Sequence, residues 1–231
     1  LDLGVGAGRF ADLVVAKGGK VIGVDLSDAV EVARKNLTDD SRSLIIQADG
    51  LNLPIRPDSC DGTYSIGVLH HTPDPFCGLR EMFLSLKAGG WIACCVYQKN
   101  GYYDSLRVKI WRNIFSSLSR IAPADLPVLL YSYLCAYVLY YLTYIPILGH
   151  LIRASFPMVR LPDIRWRLLD TYDSVTPAYQ SAHTSAEVEE WFKRLRCDNV
   201  EKADWGTSSY RGVKDAHVVL EATDKKSINA A

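Results

Sequence analysis

The chain opens on LDLGVGAGRF, in which Asp2 is set between leucines and glycines stand at positions 4, 6 and 8. An apolar strand end, alternating glycines and then RFADLVVA make a strand–loop–helix unit. Glycines at such a turn let the backbone approach a ligand closely at the start of the helix. The unit is the opening step of an open parallel sheet, whose ligands lie at the carboxyl ends of the strands. The dinucleotide fingerprint G-x-G-x-x-G/A is not completed, because Arg9 stands at its last position. Asp2 sharpens the distinction. A carboxylate ahead of the first glycine repels a pyrophosphate and attracts an ammonium, so the ligand is expected to carry a cationic amino-acid part.

The same alternation continues downstream. KVIGVDLS reads as a buried strand ending on Asp25, and residues 27–37 as a helix capped by Ser27 or Asp28. SLIIQAD is a third strand ending at Asp49, CDGTYSIGVL a fourth with His70 and His71 at its exit. Residues 76–86 suit a helix, LKAGG a turn and GWIACCVYQ a fifth strand. Strands alternating with helices at this spacing predict an α/β fold, a doubly wound and mostly parallel sheet. After a long interruption, HTSAEVEEWFKRL reads as a capping box from Thr184 to Glu187. The helix that follows sets Val188, Trp191, Phe192 and Leu195 on one face. NVEKADW and AHVVLEAT are expected as two final antiparallel strands, bringing the sheet to seven, and the tail from Asp224 as frayed.

Composition narrows the partners. Lys+Arg and Asp+Glu both number 26 in 231 residues, a balance unlike that of a dedicated nucleic-acid binder. The six cysteines show no C-x-x-C spacing, which suits free thiols in a reducing cytoplasm and supports no metal site. A chain opening inside an apolar strand reads as a fragment, and its missing beginning hides any leader.

Five stretches in order carry a family resemblance: LDLGVGAGRF, VIGVDLS, QADGLNLP, CDGTYSIGVLHHTPDP and LKAGGWI. Together they resemble the class I S-adenosylmethionine-dependent methyltransferases, most closely the broad small-molecule group that includes ubiquinone and menaquinone enzymes. The resemblance implies a Rossmann-like seven-stranded sheet, S-adenosyl-L-methionine as cofactor, and a helix ahead of Leu1 that closes the cofactor site. It implies that Gly4, Gly6 and Gly8 line the methionine and ribose portion and that Asp2 lies near the methionine amino group. Asp25, with Leu26 beside it, would accept hydrogen bonds from the two ribose hydroxyls. Asp49 would face the adenine amino group between Gly50 and Leu51, and Ser65 and Ile66 would border the methionine chain.

Methyl transfer to an acidic oxygen or a carbanion needs little help, whereas a hydroxyl or amine needs a base. His70 and His71 stand at a strand exit where a base belongs, and His183 is a further candidate. Tyr172, Asp173, Tyr179 and Gln180 form a polar, aromatic segment before the last helix.

The interruption itself is the unusual part. The domain reading is a cofactor-binding half over 1–100, an apolar helical insert over 101–170, and a C-terminal helix and strands over 171–231. No Asp, Glu, Lys or Arg occurs from Leu126 to Ile152. Pro127 to Ile145 as a helix would span about 28 Å, close to a bilayer core. Yet Tyr131, Tyr133, Tyr137, Tyr140, Tyr141 and Tyr144 run through it, and tyrosine favours membrane interfaces over the hydrocarbon centre. Tyr133, Tyr137, Tyr140 and Tyr144 share one stripe. Eight Lys or Arg residues against three Asp between Asp104 and Arg167, and the apolar pattern Leu106, Ile110, Trp111, Ile114, Phe115, Leu118, Ile121, resemble an interfacial anchor. A lid packed over a substrate pocket and a peripheral membrane contact through residues 105–152 are both open readings. The chain is accordingly expected to be a cytoplasmic methyltransferase of a small or lipid-like acceptor. The alternative is a noncatalytic S-adenosylmethionine-binding protein that associates with a membrane or partner through its insert.

Overall fold

The computed structural model describes residues 1–37, 39, 41–118, 126–203 and 208–216. These residues form two compact units, one made of Leu1–Val96 with the chain from His183 on, the other of Tyr97–Ala182.

The first unit is a seven-stranded sheet in the order β3-β2-β1-β4-β5-β7-β6. Its strands are β1 (Asp2–Leu3), β2 (Val21–Asp25), β3 (Ser43–Gln47), β4 (Cys60–Ile66), β5 (Leu86–Val96), β6 (Cys197–Ala203) and β7 (Ser208–Lys214). The pairings among β1 to β5 are parallel, and β7 runs antiparallel to both β5 and β6. Helices α1 (Arg9–Ala16), α2 (Ala29–Asn36) and α3 (Pro75–Ser85) make the crossovers, and α9 (Ser185–Arg194) leads into β6.

The sheet has apolar cores on both faces, as parallel strands require. One gathers Val5, Ala11, Val21, Val30, Ala33 and Ile45 around α1 and α2. The other gathers Leu3, Val24, Leu79, Phe83, Ile92, Val96 and, from α9, Val188 and Phe192. The α9 cap has the reciprocal form, with Thr184 Oγ1 accepting from Glu187 N–H and Glu187 Oε2 accepting from Thr184 N–H at 2.7 Å.

Two expectations are corrected, and one strand lies where none was expected. LKAGG is not a turn before the fifth strand. It is the irregular beginning of β5, where the pairing slips between Cys60 opposite Leu86 and Gly62 opposite Trp91. The fourth strand stops at Ile66, and Leu69–His71 turn away as one turn of 3₁₀ helix. The last described strand is Ser208–Lys214, a polar and glycine-bearing run that pairing with β5 holds in the sheet. The strand expected over AHVVLEAT lies, from His217 on, outside the described residues, as do Asp204, Trp205 and the tail.

The second unit is helical: α4 (Leu106–Leu118), α5 (Leu126–Leu134), a π turn over Cys135–Leu139, α6 (Tyr140–Leu142), α7 (Pro146–Ser155) and α8 (Ile164–Val175). Its own core holds Phe115, Val128, Tyr131, Cys135, Ile152, Met158 and Val175. The α4 face differs from the sequence pattern. Val108, Trp111 and Phe115 turn inward, whereas Leu106, Ile110 and Ile114 are exposed; Ile121 lies outside the described residues. Pro146 opens α7 after a break at Thr143–Ile145, so the apolar run is not one rod. No helix among the described residues is long and apolar enough to cross a membrane.

Candidate functional site

The carboxyl ends of the first strands open into a cleft with a cavity volume of about 140 Å³. Of the sequence-derived candidates, Gly4, Asp25, Leu26, Asp49, Gly50 and His71 line it. Leu3, Val24, Val68 and Leu69 give it an apolar floor that sequence reasoning had not assigned. They were legible only as apolar residues of strands; the parallel register brings Leu3 and Val24 to the cleft, and the turn after β4 brings Val68 and Leu69.

The glycine loop is held by specific bonds. Gly4 and Val5 N–H both donate to the Val24 carbonyl, at 2.7 and 3.0 Å. Gly4 has φ +83°, and a Cβ there would stand 2.2 Å from Val68 Cγ2, so the loop can lie this close to the β4 exit only without a side chain. Gly6, at φ +52°, faces open space instead, which leaves the loop surface unobstructed. Its N–H donates to Asp25 Oδ2 at 2.9 Å. Asp25 Oδ1 accepts from Ser27 N–H at 2.9 Å and Ser27 Oγ at 2.7 Å. Asp25 therefore shapes the loop as well as facing the cleft, a role its position at a strand end did not announce. Asp49 is set by a turn of its own, Oδ1 accepting from Leu51 N–H at 2.9 Å.

The remaining candidates are placed elsewhere. Asp2 is buried, on the same face as its neighbour Tyr64, whose hydroxyl donates to Asp2 Oδ2 at 3.0 Å. Burial raises the Asp2 carboxyl to about 6, against the opposing effect of the Tyr64 bond. Gly8 is the N-cap of α1. Ser65 is fully buried on β4, its hydroxyl without a hydrogen-bond partner among the described residues, and Ile66 ends that strand.

The two adjacent histidines part company. His70 is fully buried, and burial, then the neighbouring His71 and His183, push its pKa down to about 2. It is neutral throughout the physiological range. His71 lies on the cleft wall with its ring 4.2 Å from that of His70. His183 packs edge-on against Trp191 at 4.7 Å, and its carbonyl accepts from Ser208 Oγ at 2.8 Å. It stands at the α9 cap rather than among the cleft-lining residues. Tyr172, Tyr179 and Gln180 belong to the helical unit, where Gln180 Nε2 donates to the Tyr103 carbonyl at 2.8 Å.

The donor set states what the cleft accepts. Two carboxylates line it, and no Lys or Arg does. Such a wall repels phosphates and favours hydroxyl, amine and ammonium donors. Those are the groups of S-adenosylmethionine: a ribose diol, an adenine amine and an amino-acid ammonium. The residues fit that cofactor.

Comparison with known proteins agrees. A model described as a methyltransferase domain matches residues 1–94. A demethylmenaquinone methyltransferase of Clavibacter sepedonicus is 37% identical over 99 residues, 42% of this chain and 40% of that protein. A ubiquinone biosynthesis O-methyltransferase of Nitrosomonas europaea is 30% identical over 106 residues, 43% of this chain and 44% of that one. The chain thus spans less than half the length of these curated relatives. Among solved structures, a complex with the Haloferax volcanii Trm112 methyltransferase activator aligns with TM-score 0.55 at 17% identity. That alignment covers 95% of this chain and 82% of the other, a likeness of fold. Residues 1–94 are thus similar to a methyltransferase domain, and they stand in a sheet with the Rossmann-like methyltransferase strand order.

Proposed function

We propose that the protein is an enzyme that transfers a methyl group from S-adenosylmethionine to a small or lipid-like acceptor. The carrying observation is the cleft with two carboxylates and no cationic side chain. The bound cofactor supplies a methyl group already activated on a sulfonium sulfur, so the protein's work is to hold, orient and exclude water.

Asp25 accepts from Gly6 N–H and from Ser27 N–H and Oγ; its remaining Oδ2 lone pair serves one ribose hydroxyl, and Oδ1 serves the other once the Ser27 hydroxyl turns away. Asp49 takes the adenine amine, with Gly50 and Leu51 beside the ring. Gly4, Gly6 and Gly8 keep the loop low under the methionine and ribose, Asp2 supplies negative charge toward the ammonium, and Ser65 and Ile66 border the methionine chain. His71, which lines the cleft, would take a proton from an acceptor that needs one removed. His70, neutral and buried against it, is a positioning residue, and His183 is the more remote candidate base.

The helical unit favours an apolar acceptor. Tyr133, Tyr137 and Tyr144 are each more than half exposed, and Ile147 is 82% exposed. Leu130, Tyr141 and Leu151 are exposed as well, and exposed apolar side chains in this number suit an interaction surface. The relatives named above are quinone-pathway enzymes by name, and an aromatic, lipid-soluble acceptor suits this surface. The protein would then work in the cytoplasm and touch the membrane peripherally through residues 105–152. Titration calorimetry against S-adenosylhomocysteine and NADH tests the core of this reading. Saturable binding of the first and none of the second is expected; the reverse preference overturns it.

A further inference from the structure

We propose that the Tyr97–Ala182 unit holds a second ligand site, an arginine-lined pocket that grips the oxyanion of an amphiphile, a phosphate or carboxylate borne on an apolar body. This goes beyond the methyl-transfer reading, and no residue of the cleft takes part in it.

The pocket has a cavity volume of about 460 Å³, and its walls include Tyr102, Tyr103, Arg107, Arg153, Met158 and Arg160. No carboxylate lines it. The acids nearest in sequence are spent on other cations: Asp104 pairs with Lys109 at 2.6 Å and Asp163 with Arg165 at 3.0 Å. Asp170 and Asp173 lie within electrostatic reach of Tyr103. Arg107, Arg153 and Arg160 have no carboxylate partner among the described residues.

Two of these guanidiniums are nevertheless held in place. Arg107 Nη1 donates to the Arg153 carbonyl, and Arg153 Nη1 donates to the Thr143 carbonyl at 3.0 Å. Backbone carbonyls orient both forks without neutralising them. Arg107 Nε is buried and has no hydrogen-bond partner among the described residues. A buried donor left unmade is costly, and an unneutralised guanidinium in partly desolvated surroundings more so. Arg160 is exposed at the pocket and stands over the Tyr144 ring at 5.4 Å. A planar fork is matched by the paired oxygens of a carboxylate or phosphate.

The rest of the wall decides what carries the anion. Tyr102, Tyr103 and Met158 give the pocket an aromatic and aliphatic surface, which a bare inorganic ion would leave wet. An alkyl or aryl body behind the oxyanion covers it.

The test is calorimetry on the full chain with inorganic phosphate, octyl phosphate and octanol, the latter two below their aggregation limits. Octyl phosphate is expected to bind at least tenfold more tightly than either. Arg160→Ala, which removes a side chain with no backbone bond, should weaken octyl phosphate at least fivefold at unchanged thermal midpoint. Arg107→Lys, which keeps the charge and loses the fork, should weaken it as well. Arg165→Ala, which removes a paired cation outside the pocket, should leave it unchanged. Vesicles of phosphatidylcholine with phosphatidylglycerol separate the two sources. Binding that Arg160→Ala abolishes assigns a membrane lipid headgroup, and octyl phosphate binding without vesicle binding assigns a soluble amphiphile. Equal binding of octanol and octyl phosphate, no binding of octyl phosphate at millimolar concentration, or an equal loss in Arg165→Ala overturns the proposal.

Discussion

Asp25 does two jobs with one carboxylate. It closes the glycine loop through Gly6 N–H at 2.9 Å and faces the cleft. Asp25→Ala therefore strands the loop amide and leaves the proposed ribose hydroxyls without an acceptor. Affinity for S-adenosylhomocysteine should fall by about 2–4 kcal/mol, read by calorimetry, with the fold retained. Asp2 makes a different prediction, through protons. Burial holds its carboxyl near 6 in the folded chain, while in the unfolded chain it titrates near 4. Between those values the folded state binds the extra proton, so stability is highest below pH 4 and declines as pH rises to about 6. The loss is of order 3 kcal/mol, and Asp2→Asn should abolish that slope in denaturant titrations. If the Asp2 carboxylate serves an ammonium, cofactor affinity in the wild type should rise through the same interval, and in Asp2→Asn it should not.

At the scale of elements, the clearest device is the α9 cap. Both bonds of the Thr184–Glu187 box are made, and the helix delivers Val188 and Phe192, both fully buried, to the core beneath β5 and β7. Thr184→Ala should cost about 1 kcal/mol, seen as a lower denaturant midpoint at constant slope. Elements read from pattern alone fared unequally for physical reasons. The capping box, the glycine loop and the β2 and β3 strands are local: their residues carry their own instructions. β7 is not. Ser208–Lys214 lacks an apolar run, and its place depends on β5, whose pairing partner Ser209 for Cys95 is over a hundred residues away. Its last residue, Lys214, is buried and reaches Asp58 Oδ1 at 2.8 Å and the Leu86 carbonyl at 2.6 Å. A buried lysine is tolerable only with such partners, and none adjoins it in sequence.

For the whole molecule, the sheet unit closes with segments from both sides of Tyr97–Ala182, and each unit keeps a core of its own. We expect a chain in which residues 97–182 are replaced by a Gly/Ser linker to fold cooperatively. It should bind S-adenosylhomocysteine within about tenfold of the parent, the order of a modest 1.4 kcal/mol change, and lose the proposed methyl transfer. Circular dichroism and calorimetry on the same preparation decide it; an unfolded product would show that the sheet unit does not stand alone.

The class of fold was legible at once, because a glycine loop, period-matched strands and acids at strand ends are short-range signals that survive without tertiary context. So was the pair Asp25 and Asp49, since a parallel sheet brings successive strand ends to one edge. Three things waited for the tertiary structure. The burial of His70 beside a cleft-lining His71 depends on where a 3₁₀ turn directs adjacent side chains. The inward face of α4 takes Trp111 and Phe115 from the expected stripe and adds Val108, while Leu106, Ile110 and Ile114 stay exposed, because its neighbours as well as its own periodicity choose the face. The gathering of Arg107, Arg153 and Arg160 at one pocket joins residues as many as 53 positions apart. Charge counts along a chain register an excess of cations, but only packing decides whether they disperse into water or converge.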